Sequence, residues 1–122
     1  MLSIHDVEGV LYTKDWKTLL CGGGAFGDYT VASGAEEILA GSFQGNSSVV
    51  SVTIPEGVTT IGQGLFFACD NLERVYLPST VSIFGDSFVG GCPKFEEIVE
   101  DENNPYYTSD SEALLFIYRR MH

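Results

Sequence analysis

The sequence repeats with a period of 23 residues, and this period limits the fold more than any other feature of the chain. Apolar or otherwise distinctive residues recur at the same place in successive rows, and no gap is needed to align them. The columns are Phe26, Val49, Leu72 and Phe95; Tyr29, Val52, Val75 and Ile98; Val31, Ile54 and Leu77, which Glu100 breaks; Ala32, Pro55 and Pro78; Ala35, Val58 and Val81; Ile38, Ile61 and Phe84; Phe43, Phe66 and Val89; and Asn46, Cys69 and Cys92. Chance would give one or two such columns, so the repeat is a specific signal.

Each row begins with a segment typical of a β-strand. Residues 49–54 alternate apolar side chains with Ser51 and Thr53 and are rich in β-branched residues, which predicts a strand with one buried face. Pro55 ends this strand because proline cannot donate a ladder hydrogen bond. A short unit with one main strand cannot enclose a core of its own, so successive units must stack with their strands parallel. We therefore predict a mainly β solenoid of about three full rungs and a fourth strand, with equivalent residues about 4.8 Å apart.

These rows resemble the BspA-type leucine-rich repeat. The resemblance is carried by Leu72-x-x-Val75-x-Leu77-Pro78 with Gly90-Gly91-Cys92, and by Val49-x-x-Val52-x-Ile54-Pro55 with Phe66-x-x-Cys69. The first row departs from the pattern, because residues 32–35 replace the proline and the aliphatic residue. The resemblance implies a right-handed solenoid of the leucine-rich repeat class, no catalytic activity, and a role in protein binding or adhesion, most often on bacterial cell surfaces.

The ends of the chain are expected to differ from the repeats, because terminal rungs of a solenoid need a cap. Residues 1–25 are predicted to form an N-terminal hairpin cap, with strands at 7–12 and 17–21 and with Trp16 at the turn. Residues 26–102 are predicted to form the solenoid, and residues 103–122 a spacer and a partial hairpin, all within one domain. The sequence stops before a second C-terminal strand, which suggests a fragment of a longer array.

Composition limits the classes of partner. Asp and Glu number 17 against 6 Lys and Arg, so the formal net charge is -11, and a surface so anionic repels nucleic acid and anionic lipid headgroups. No apolar run approaches the roughly 18 residues that a membrane-spanning helix needs, so we expect no membrane insertion. The first 20 residues lack the pattern of a secretory signal, although the resemblance suggests a secreted or cell-surface protein.

Several motifs suggest catalytic or cofactor sites, and each has a simpler interpretation. Residues 22–27 match the G-x-G-x-x-G spacing of a dinucleotide loop, but no helix follows, so a flexible connector is expected and no cofactor is predicted. Cys69 and Cys92 are one rung apart and are expected to be buried thiols. The two histidines, His5 and His122, lie at the chain ends, which argues against a metal site and against a Cys-His nucleophile.

Acidic side chains occur in runs at 36–37, 96–97 and 100–102. Acid–base catalysis needs two carboxylates in contrasting environments across a cleft, and neighbours on an exposed strand lack that contrast. We expect solvated carboxylates that block further stacking at the C-terminal end. A weak Ca²⁺ site at residues 100–102 and a hydrolase that uses these carboxylates are the alternatives.

The strand residues that point away from the core form the candidate binding surface. They occupy two columns, namely Asp28, Ser51, Arg74 and Glu97, and Thr30, Thr53, Tyr76 and Val99. Arg74 and Tyr76 are residue types enriched at interface hot spots, and Ser51, Thr53, Glu97 and Val99 surround them. The alternative is that Arg74 only pairs with Glu97 or Asp28 and that Tyr76 only covers the sheet.

The sequence therefore predicts a noncatalytic module that binds a protein partner through this surface. The alternative function is a structural spacer or array fragment that forms a homo-oligomer by stacking through its open solenoid ends.

Overall fold

In the computed structural model, which describes residues 4–85 and 89–100, these residues form short β-strands and no helix. The strands are β1 (Ile4–Val7), β2 (Val10–Thr13), β3 (Thr18–Cys21), β4 (Gly27–Thr30), β5 (Glu37–Ile38), β6 (Val49–Thr53), β7 (Thr60–Ile61), β8 (Phe66–Phe67), β9 (Arg74–Leu77), β10 (Ile83–Phe84), β11 (Val89–Gly90) and β12 (Glu97–Glu100). Accordingly, these residues include no helix that is long and apolar enough to cross a membrane.

Equivalent strands of successive rows stack in parallel. The main strands form a sheet in the order β12-β9-β6-β4, with Val52 opposite Val75 and Val75 opposite Ile98. The shorter strands β5, β7 and β10 form a second stack, and β8 pairs with β11 in a third. The predicted solenoid of about three rungs is thereby confirmed.

The core is made by the apolar columns of the repeat. Val52 and Val75 are fully buried, as are Ile38 and Ile61 on the neighbouring stack. The rings of Phe43 and Phe66, 23 residues apart, stack with their centroids 5.2 Å apart. Because each inward side chain lies above a chemically similar one, burial of apolar area stabilises every rung in the same way.

Phe26 is an exception, and its predicted place in a buried column is wrong. The pairing of β4 with β6 shifts by one residue between Gly27 and Asp28, so Gly27 lies opposite Val49. Gly27 has a φ of +63°, which a glycine adopts without strain. Ala25 takes the buried position, and the Phe26 side chain is 63% exposed.

The column of Asn46, Cys69 and Cys92 supplies polar groups to the buried turns. The thiol of Cys69 donates to the carbonyl of Phe43 at 3.0 Å, and the thiol of Cys92 donates to the carbonyl of Phe66 at 2.8 Å. Both cysteines are free and buried, as predicted. The neighbouring Cys92 thiol and burial raise the pKa of the Cys69 thiol, so this thiol stays protonated.

Asn46 uses its whole amide group in the first rung. Its Nδ2 donates to the carbonyls of Gly22 and Ala25, each at 2.9 Å, and its Oδ1 accepts from the amides of Ser48 at 2.8 Å and Val49 at 3.1 Å. Asn46 therefore joins the glycine-rich connector to the start of β6.

The glycine-rich connector is packed, so the expectation that it is flexible is wrong. Gly22 donates its amide to the carbonyl of Ser42, and Gly24 donates to that of Gly9. A Cβ on Gly22 would overlap with the ring of Phe43, and a Cβ on Gly24 would overlap with the carbonyl oxygen of Glu8. These glycines are needed for close approach of neighbouring segments.

The N-terminal strands β1, β2 and β3 are antiparallel, and β3 pairs in parallel with β5 at the start of the solenoid. Trp16 stacks on the ring of His5 with centroids 4.0 Å apart. The hydroxyl of Tyr12 lies 2.6 Å from that of Tyr29 and accepts the amide of Ala32 at 2.9 Å. The side chain of Tyr12 therefore joins this sheet to the first rung. The spacer and partial hairpin predicted at 103–122 lie outside the described residues.

The Tyr29 contact predicts a dependence of stability on pH. Burial and the hydrogen bond with Tyr12 raise the pKa of Tyr29 above its ordinary value near 10. The unfolded chain then loses the phenol proton at a lower pH than the folded chain, so the free energy of unfolding should fall as the pH rises above about 10. Urea denaturation at about pH 9 and about pH 11 measures this fall. The fall should be smaller in Tyr29→Phe, and the same fall in both proteins would contradict the assignment.

Candidate functional site

The outer face of the main sheet brings all six predicted binding residues together. Pairing of the strands aligns Asp28, Ser51, Arg74 and Glu97 in one column, and Thr30, Thr53, Tyr76 and Val99 in the next. Arg74 and Tyr76 are two residues apart on β9 and therefore point to the same side of the sheet. Tyr76 is 38% exposed. The result is an open, four-stranded surface with an arginine and a tyrosine side by side.

Arg74 is held by two carboxylates from the next rung. Its Nε donates to Glu97 at 3.1 Å, and Nη2 donates to Glu96 at 2.8 Å. Both carboxylates raise the pKa of the guanidinium, and Glu97 has the larger effect. The guanidinium is charged at any physiological pH. All three side chains are exposed, so the pairs orient Arg74 more than they stabilise the fold. The sequence suggests Glu97 or Asp28 as the partner of Arg74. Glu97 is a partner, whereas Asp28 accepts a hydrogen bond from the hydroxyl of Ser51 at 2.7 Å.

Glu96 belongs to this site, although sequence reasoning assigned it only to a charged end. A signal for it exists in the repeat, because Glu73 precedes it by one period and lies next to Arg74. The main-chain amide of Glu96 donates to the carbonyl of Glu73 at 2.8 Å, which fixes Glu96 beside β9. A long arginine side chain reaches both Glu96 and Glu97 from this position.

Other polar pairs link the rungs away from this face. Glu56 accepts the amide of Ser79 at 2.9 Å and its hydroxyl at 2.7 Å, and Lys94 donates to the side chain of Asn71 at 2.8 Å. Each pair joins residues one period apart. These contacts maintain the register of the turns and leave the outer sheet face clear.

Among the residues that the structure describes, the remaining sequence candidates do not converge on a second centre. Within residues 4–85 and 89–100, no group of three or more His, Cys, Asp or Glu side chains is placed to hold a metal ion. Glu36 and Glu37 are exposed. The acidic run at 100–102, with the alternative Ca²⁺ site, falls outside the side chains that the structure describes.

Comparison with known proteins agrees with this architecture. The family model for the BspA type leucine rich repeat region matches residues 25–111 in six copies. A solved leucine-rich repeat protein from Eubacterium ventriosum is similar with a TM-score of 0.73 and 24% identity, over 80% of this chain and 27% of that chain. The pneumococcal vaccine antigen PcpA is similar with a TM-score of 0.60 and 22% identity, over 83% of this chain and 31% of that chain.

A search of the curated proteins gives no match. The chain spans less than a third of the length of each of the two solved proteins, and at these identities the likeness shows the fold alone.

Proposed function

The chain belongs to the BspA-type leucine-rich repeat family, and from that premise we propose that it is a noncatalytic module that binds a protein partner, in an adhesive role, through the outer face of its main sheet. The observation that carries the proposal is the pairing of an oriented Arg74 with an exposed Tyr76 at the middle of that face. The solenoid itself is a repeat module, and its outer face is a continuous surface of the kind that solenoids use for binding.

The geometry of Arg74 supports a role in recognition. The two carboxylates restrict the guanidinium in the free protein, so less conformational entropy is lost when a partner binds. Nε and Nη2 are engaged, while Nη1 has no partner among the described residues and is free to donate to a carbonyl or carboxylate. Tyr76 adds a rigid ring with a polar end, which suits a contact that is partly apolar and partly wet.

The neighbours complete a surface of mixed character. Ser51 and Thr53 supply hydroxyl groups on β6, and Val99 supplies an apolar side chain on β12. An open sheet face of this kind suits an extended protein surface better than a small molecule, because small-molecule sites are concave. Glu96 and Glu97 add negative charge at one border, so we expect a partner with basic groups there.

Replacing Arg74 and Tyr76 together by alanine should weaken partner binding by about thirtyfold, because both are central and carry hot-spot chemistry. The partner is to be selected by screening the folded chain against a displayed protein library, and the dissociation constant is measured by calorimetry. The thermal unfolding midpoint should stay close to that of the unmodified protein, since the ion pairs are exposed.

Lys17→Ala with Ile83→Ala is the matched control. It also removes one positive charge and one exposed apolar side chain, but Lys17 lies between β2 and β3 and Ile83 lies in β10, outside the main sheet. The control should leave the dissociation constant within about twofold of the unmodified value. Equal affinity of the Arg74 and Tyr76 double variant and the unmodified protein would place the partner on another surface.

A further inference from the structure

The outer edge of β4 carries main-chain groups that pair with nothing in the described residues. In a parallel ladder, alternate residues direct both their N–H and C=O groups to the same neighbouring strand. Gly27 and Val31 donate their amides towards β6, to Ser48 at 2.9 Å and to Thr53 at 3.0 Å. Asp28 and Thr30 lie between them and therefore direct their main-chain groups to the opposite edge, where none of the described strands lies beside β4.

A cleft of about 210 Å³ lies beside this edge, between the β1–β2 turn and β4. Its apolar lining includes Val7 and Phe26, whose side chains are 45% and 63% exposed. Phe26 reaches the cleft because of the register shift at Gly27, which turns it out of the buried column. The cleft can therefore take one apolar side chain from a strand that pairs with β4.

Charge indicates which kind of strand fits. The charged side chains that line the cleft are Glu8 and Asp28, both acidic, in a chain with a net charge of -11. A second copy that continued the columns with its β12 would bring its Glu97 next to Asp28 and add a like-charge contact. A basic segment instead gains attraction to the same two carboxylates.

We propose that the free edge of β4 binds an extended basic peptide segment of a partner protein by strand addition, with one apolar side chain of that segment in the cleft beside Val7 and Phe26. This site goes beyond the outer-face function, because it uses main-chain groups at one end of the sheet and neither Arg74 nor Tyr76.

The probe is a heptapeptide of alternating threonine and valine with a lysine at each end. Titration into the ¹⁵N-labelled full chain should shift the amide signals of Asp28 and Thr30 and slow their hydrogen exchange. Two further peptides carry N-methyl groups on alternate residues, one on the odd-numbered residues and the other on the even-numbered ones. They should differ in affinity, because only one edge of an added strand pairs with β4. Replacing both lysines by glutamate should abolish the shifts.

Thr30→Pro removes an outward amide without removing a bond to β6, so it should raise the dissociation constant of the peptide about tenfold or more. The double variant Glu8→Gln with Asp28→Asn leaves the main-chain groups unchanged and should raise the dissociation constant of the peptide roughly threefold. Circular dichroism verifies that each variant folds. If Thr30→Pro does not fold, the paired charge variant and the N-methylated peptides still test the site.

Three results would overturn the proposal. The amides of Asp28 and Thr30 could already resist exchange in the free chain, which would mean that the edge is covered. The peptide could shift other amides instead. Sedimentation could also show self-association that Thr30→Pro abolishes, in which case a second copy is the occupant of the edge.

Discussion

Replacing Asn46 by alanine should lower the free energy of unfolding by about 3 kcal/mol, one of the two largest effects expected here. The substitution leaves the carbonyls of Gly22 and Ala25 and the amides of Ser48 and Val49 without the partner that they have now. Asn46 itself is only 6% exposed, so water replaces these bonds poorly. Denaturation in urea, monitored by circular dichroism, measures the loss.

Asn46→Cys is the informative control, because cysteine occupies the same column in the next two rungs. A thiol there keeps one weak donor, so we expect about half of the loss seen with alanine. If the alanine variant unfolds within about 0.5 kcal/mol of the unmodified protein, the amide is not what joins the connector to β6.

The second large effect should come from the three consecutive glycines of the connector. Gly24→Ala should lower the free energy of unfolding by about 3 kcal/mol, because the new Cβ would overlap with the backbone of Glu8 and Gly9. Gly22→Ala should also destabilise, but less, since its obstacle is the side-chain ring of Phe43, which can shift.

Gly23 provides the control within the same segment. A Cβ there would lie 3.6 Å from the Cys21 sulfur, an ordinary contact. Gly23→Ala should therefore change stability between zero and a gain of about 0.5 kcal/mol, because alanine restricts the unfolded chain. Equal losses at Gly23 and Gly24 would mean that flexibility, and not close packing, is what the connector needs.

The repeated part of the fold could be predicted from the sequence, because a fixed period places equal chemistry at equal positions. Val52 and Val75 lie opposite each other as expected, and strand alternation correctly puts Arg74 and Tyr76 on the outer side. The same argument breaks down at the first rung, where β4 has a neighbour on only one side among the described strands. There the register shift at Gly27 exposes Phe26. The period does not predict this shift, because it assumes that every strand lies between two similar strands.

The details of the candidate site depend on side-chain reach, which a period does not encode. The columns predict that Glu97 lies beside Arg74, but they do not predict that Glu96 binds the same guanidinium. The hydrogen bond between Tyr12 and Tyr29 was also not predicted, because it joins the N-terminal sheet to a repeat and has no counterpart in other rows. The binding role of Arg74 and Tyr76 stays a prediction.

The polar pairs between rungs bear on how such a molecule can evolve. Asp28 with Ser51, Glu56 with Ser79, and Asn71 with Lys94 all join residues 23 positions apart. Because each pair joins unlike residues, duplication of one unit in the gene would place Asp28 opposite a second Asp28, or Glu56 opposite a second Glu56, and add a like-charge contact. The apolar columns carry over unchanged when a unit is copied, whereas the polar columns must change by substitution before the longer array regains such pairs.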